Sequence, residues 1–167
     1  MPVHFVLDQN FPLYVTGFKW TRPDLQINRL SDIDAELTHD HDDWEVFRAL
    51  DKRGDVDGFV TNDAKLLNLP TEMLAVHTTS LALVITESVG DQPIRATGLL
   101  MVHLETIASQ LGKRPRVWIL RPAQVTATRP WDYLNRIAKS RQVPLDSLVD
   151  EERRRLGIPR SALPGEV

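Results

Sequence analysis

The stretch Val56-Asp57-Gly58-Phe59-Val60-Thr61-Asn62-Asp63-Ala64-Lys65-Leu66-Leu67 passes from an apolar run through a polar turn into a short helical segment. Phe59 to Asn62 reads as a buried strand, and the chain leaves it on a carboxylate. In an open α/β sheet the carboxyl ends of the strands face the crevice where ligands bind, so Asp63 is aimed at the place where chemistry occurs. What meets Asp63 there decides the function.

Upstream, Val3-His4-Phe5-Val6-Leu7 is a near-continuous apolar run that predicts a strand buried on both faces, with Asp8 at its carboxyl end. Gln9-Asn10-Phe11-Pro12 reads as a turn, and residues 13–18 as a short helix. Residues 24–30 alternate at period two, as a second strand nearer an edge does. Ser31 to Asp43 is acid-rich, a loop with one helical turn. Trp44, Phe47 and Ala49-Leu50 recur at helical spacing, which predicts a helix over about 43–53 entered from an acidic cap.

Downstream, Ala64 to Leu69 predicts a short helix broken at Pro70, with Thr71 as the cap of a restart. Residues 81–86 are the strongest buried-strand signal, followed by a loop from Glu87 to Asp91. A helix over 94–111 stops at Gly112, and 116–120 is a fifth strand. After Arg121-Pro122 the strand pattern ends. Helices are expected at about 130–141 and 145–156, with a frayed tail from Ile158. The fold class is α/β: about five strands in a mainly parallel sheet, joined by right-handed crossovers and flanked by helices. Residues 1–121 form the α/β domain, and 122–167 a helical extension packed on it or projecting from it.

The composition is ordinary for a globular domain, with 42% hydrophobic and 26% charged residues among 167. No run of about 18 apolar residues and no secretory leader is readable, so a membrane partner is not expected and the cytoplasm is the expected location. Zero Cys excludes disulfides, thiolate zinc sites and Cys nucleophiles, and favours a hard cation held by oxygen. Residues 1–112 carry 8 Lys+Arg against 17 Asp+Glu, a net of −9, whereas residues 113–167 carry 12 against 6, a net of +6. An acidic body that holds a cation and a basic tail that meets a polyanion would fit this split.

Three acids can converge on one sheet edge: Asp8 after the first strand, Asp63 after the third, and Asp43 at the start of the helix between them. Clustered carboxylates raise one another's pKa unless a cation is present, and Mg²⁺ or Mn²⁺ is the natural counterion. Such an ion suits hydrolysis of a phosphodiester. Each acid also has a plainer reading. Asp8 suits a turn, Asp63 caps the segment at Ala64, and Asp42 or Asp43 with Glu45 resembles a capping pair. Asp43 is preferred to Asp42 because it leads directly into the apolar face of the helix. His39 and His41, at i, i+2 in a polar loop, read as solvated, and the Glu151-Glu152-Arg153-Arg154-Arg155 run as a solvated helix face.

The ordered set Val6-Leu7-Asp8-Gln9-Asn10, Asp42-Asp43-Trp44-Glu45 and Val60-Thr61-Asn62-Asp63 resembles the PIN-like nucleases over about residues 3–121. The resemblance implies an α/β/α sandwich and divalent-metal-dependent cleavage of RNA, as in bacterial toxins that are paired with antitoxins. It would make Asp8 and Asp63 metal ligands and Asp43 the intermediate acid, with Asn10 and Thr61 in support, Thr61 for the loop that presents Asp63. A fourth acid common in that family falls to Glu87 or Asp91, and Leu66 stands where an aromatic is frequent. The expected cofactor is Mg²⁺ or Mn²⁺. The expected partners are RNA, an antitoxin-like protein and, as a candidate assembly, a homodimer. The alternative is a catalytically weak PIN-like module that binds RNA or protein without cutting.

Overall fold

The computed structural model describes residues 2–12, 16–39, 41–87 and 92–163, and in it six strands form one sheet in the order β2-β1-β3-β4-β5-β6. The elements are β1 (Val3–Leu7), β2 (Leu25–Arg29), α1 (Leu30–Ile33), α2 (Asp43–Arg53), β3 (Gly58–Thr61), α3 (Pro70–His77), β4 (Ala82–Thr86), α4 (Pro93–Ser109), β5 (Val117–Arg121), β6 (Gln124–Thr128), α5 (Pro130–Arg141) and α6 (Leu145–Arg155). Strands β1 to β5 are parallel, and β6 returns antiparallel beside β5.

The apolar runs of β1, β3, β4 and β5 are explained by burial on both faces, as expected for parallel strands covered by helices. On one face Val6, Phe59, Leu83, Ile85 and Ile119 pack against α2, α3, α5 and α6. On the other, Phe5, Leu7, Val60, Val84 and Leu120 pack against Leu100, Leu104 and Ile107 of α4. Gly58 is required where β3 begins: a Cβ there would lie 2.6 Å from the Phe5 ring and 2.9 Å from the Ala82 carbonyl oxygen. Asp57, just before it, accepts the His4 N–H at 2.8 Å, and ties β1 to β3 at their amino ends.

The strand count is six rather than about five. Gln124 to Thr128 carries little core-facing apolar surface because β6 is an edge strand, so burial leaves almost no trace in its sequence. A two-residue connection, Pro122-Ala123, turns β5 into it, with Arg121 facing Gln124. Crossover hand also departs from expectation. The β3–β4 and β4–β5 connections step the same way across the sheet, but α3 and α4 lie on opposite faces, so the two have opposite hands. The β1–β2 connection contributes no described helix to the face of Phe5 and Leu7, and α4 supplies that cover. The helix expected over 13–18 lies partly outside the described residues, and Thr16 and Gly17 form a turn.

Thr71 is not a cap. Pro70 occupies the first helical position of α3, where its missing N–H costs nothing, and Leu69 precedes it as the cap. The residues after Arg121 add a strand, two helices and much of one core layer, including Leu134, Ile137, Leu148 and Val149. Glu152, expected on a solvated face, is buried and receives the Thr71 hydroxyl at 2.6 Å. Ile158, expected in a frayed tail, is also buried. Among the described residues no helix is long and apolar enough to cross a membrane.

Candidate functional site

The chain leaves β1 in one direction to form β2, then passes back over β1 to form β3 on its other side. The strand order therefore reverses between β1 and β3, and the crevice at their carboxyl ends is the position at which open α/β sheets bind ligands. Asp8 follows β1 and Asp63 follows β3. The Asp8 N–H donates to the Val60 carbonyl at 2.8 Å, so the two strand ends are held in register up to the carboxylates.

Thr61, fully buried, sits between the two acids. Its hydroxyl donates to Asp8 Oδ2 at 2.8 Å and accepts the Asp63 N–H at 3.1 Å. Asp63 in turn caps the 3-10 turn Ala64–Asn68, its Oδ1 accepting the Lys65 N–H at 2.9 Å. Asn10 reaches Asp8 through its backbone, hydrogen-bonding the carboxylate as Gln9 does. Burial nevertheless pushes the Asp8 carboxyl above its ordinary value. The hydrogen bonds from Thr61, Asn10 and Gln9 oppose that rise, and the charge of Asp63 adds to it.

Asp42 and Asp43 divide the work at the start of α2. Asp42 is the cap: its N–H donates to Glu45 Oε2 at 3.0 Å, and its Oδ2 accepts the Trp44 indole N–H at 3.3 Å. Asp43, the first helical residue, accepts no hydrogen bond at its carboxylate from the described residues and is half-buried. Burial pushes its pKa up to about 6, with the charges of Asp8, Asp63 and Asp42 adding to the rise. Asp8, Asp43 and Asp63 thus come from three elements close enough for the charge of Asp63 to raise both Asp8 and Asp43.

Glu87 directly follows β4 and is ion-paired with Arg121, the last residue of β5. It is not among the charges that act on Asp8 or Asp43. Asp91 lies outside the described residues. Sequence reasoning missed Glu72, half-buried in the first turn of α3. Its carboxyl is raised above the ordinary value by burial, and then by the charges of Asp43, Asp42 and Glu152. Nothing in the local pattern of Glu72 announces this, because the approach of α3 to the start of α2 is a tertiary contact. His41 pairs with Glu45 at 3.2 Å. Leu66 is buried and fills core space in the turn after Asp63.

The donor set suits a hard divalent cation: three carboxylates, no sulfur, and one acid held at a helix start with no hydrogen-bonding partner among the described residues. The side chains are not already closed on such an ion. Among the described residues no three His, Asp or Glu side chains form a group that could hold a metal as they stand. Comparisons of the chain with known protein families, with curated proteins and with solved structures find no match.

Proposed function

We propose that this chain is a PIN-like, divalent-metal-dependent endoribonuclease that hydrolyses RNA phosphodiester bonds. The observation that supports it most is the convergence of Asp8, Asp43 and Asp63 at the point where the strand order reverses, with the Asp43 pKa pushed up to about 6. Asp8, Asp43 and Asp63 would hold Mg²⁺ or Mn²⁺. Such an ion, when bound, supplies Lewis acidity and a more acidic water.

The chain's own groups do the rest. Thr61 orients the Asp8 carboxylate by donating to Oδ2, and fixes the Asp63 backbone from the same oxygen. Asp42 relieves Asp43 of capping, which leaves the Asp43 carboxylate free to face the crevice. The burial and neighbouring charges that raise Asp43 in the metal-free chain are what a divalent cation bound between the carboxylates would offset. An antitoxin-like protein, a second copy and a cytoplasmic setting belong to the same reading.

Cleavage of a single-stranded RNA with Mn²⁺ and with chelator, alongside Asp8→Asn and Asp63→Asn, tests it. The expected result is metal-dependent cleavage that falls by about a hundredfold or more in either variant. Activity unchanged by both substitutions would contradict it. The open arrangement of the carboxylates favours a second reading, a module that binds RNA without cutting. That module would bind RNA equally well in chelator and after loss of the acids, with no cleavage under any condition.

A further inference from the structure

A groove of about 730 Å³ lies between α5, the β5–β6 pair and the 3-10 turn that begins on Asp63. The volume is that of a cleft that encloses a ligand. Arg121, Arg136 and Arg141 line it against one carboxylate, Glu87, and Asn68 and Thr126 add uncharged polar groups. Arg121 is already neutralised by Glu87. Arg136 lies over the Tyr133 ring at 5.0 Å, so the wall of the groove steadies its guanidinium. Arg141, at the end of α5, has no ion-pair partner among the described residues.

Exposed arginines are commonly just solvated, but here two that form no ion pair among the described residues converge on a concavity, and the one carboxylate that Arg136 acts on, Asp132, is already paired with Arg129. The more basic run on α6 does not compete for the role. Arg153 is engaged by Asp150 and by the Ile158 carbonyl, and Arg155 by Glu152 and Thr71. The fold therefore uses two of the α6 arginines, while α5 presents Arg136 and Arg141 to the groove.

We propose that this groove holds a segment of single-stranded RNA by its phosphates, through Arg136 and Arg141, and leads the strand to the carboxylates at the ends of β1 and β3. The planar guanidinium fork matches phosphate oxygens, which an ammonium does not. A concavity of this size admits one strand, whereas a duplex presents a broad convex surface. The direction of the strand, toward the acids, rests on the nuclease reading; the binding does not.

The test is fluorescence anisotropy of a labelled single-stranded RNA of about a dozen nucleotides with the full chain in chelator. Wild type is expected to bind. Arg136→Gln/Arg141→Gln is expected to bind about tenfold or more weakly, with the salt dependence reduced by about 1.4 in log–log slope for two lost phosphate contacts. Lys139→Gln, exposed on the same helix and outside the groove, is expected to leave binding unchanged. Unchanged affinity and slope in the double variant, or an equal loss from Lys139→Gln, would overturn the proposal. So would a Glu-rich peptide of equal charge binding as tightly as RNA, which would assign the groove to an acidic protein segment. Cleavage with Mn²⁺ is scored separately. Groove-dependent binding without cleavage would sink the nuclease reading and leave the groove, whereas cleavage with unchanged KM in the double variant would sink the groove and leave the nuclease.

Discussion

Asp43 is held at a net loss to the folded chain. Its folded pKa of about 6 lies above the ordinary 3.8, so between those values the folded state binds more protons than the unfolded. The contribution of Asp43 to stability is therefore fully present below its ordinary value and is lost as pH rises through about 6. Asp8, also raised, acts with the same sign. A fully buried group shifted this far would cost about 3 kcal/mol, and solvent screening at half-buried Asp43 reduces that to about 1–2 kcal/mol. Urea unfolding of the metal-free protein should accordingly show Asp43→Asn more stable than wild type by about 1 kcal/mol above pH 7, with the two converging near pH 4. Equal stability of the two at neutral pH would mean that neither burial nor the neighbouring carboxylates penalise the charged Asp43. Thr61→Val keeps the shape and removes both hydrogen bonds; it should cost about 1–2 kcal/mol in the same measurement. At this scale Asp8 and Asp63 were legible as carboxylates that close apolar runs, whereas the sequence left the cap open between Asp42 and Asp43, and the hydrogen bonds of Asp42 decide it. Glu72 was not legible, because what raises its pKa comes from residues far along the chain.

Elements were read well where burial stamps a period on them and poorly where it does not. Strands β1, β3, β4 and β5 and helices α2 and α5 follow their apolar patterns. Strand β6, at an edge, has Val125 as its largest apolar residue and is held chiefly by its antiparallel pairing with β5, with Val125 packed against the core on the α4 side. The side of the sheet on which α4 packs was equally hidden, since an apolar helix face suits either layer. Gly58 in the opening stretch is a case in which one residue sets how an element seats. Gly58→Ala drives a methyl into the Phe5 ring and the Ala82 carbonyl, so β1 or β4 must give way. Overpacking of this kind should cost about 1–3 kcal/mol in urea unfolding, and a change under about 0.5 kcal/mol would show that β3 has room.

The whole molecule places its acids by topology and its free arginines by the helices that follow the sheet. The charge split along the sequence, −9 before residue 113 and +6 from there on, becomes a carboxylate crevice beside an arginine-lined groove. Those later residues also complete the core. Leu134, Ile137, Leu148, Val149 and Leu156 are all buried against the sheet side that carries Phe59 and Ile85. At about 2 kcal/mol each, their loss comes to about 10 kcal/mol, comparable to the entire stability of a domain. A chain ending at Arg121 should therefore show no cooperative thermal unfolding, and a sharp transition would mean that the first 121 residues stand alone. Whether Asp8, Asp43 and Asp63 hold one divalent cation, as proposed, can be read from anomalous diffraction by crystals soaked in Mn²⁺. The expected result is a peak between the three carboxylates that is lost in Asp8→Asn crystals; a soaked crystal with no peak there, or with Mn²⁺ bound only elsewhere, would contradict it.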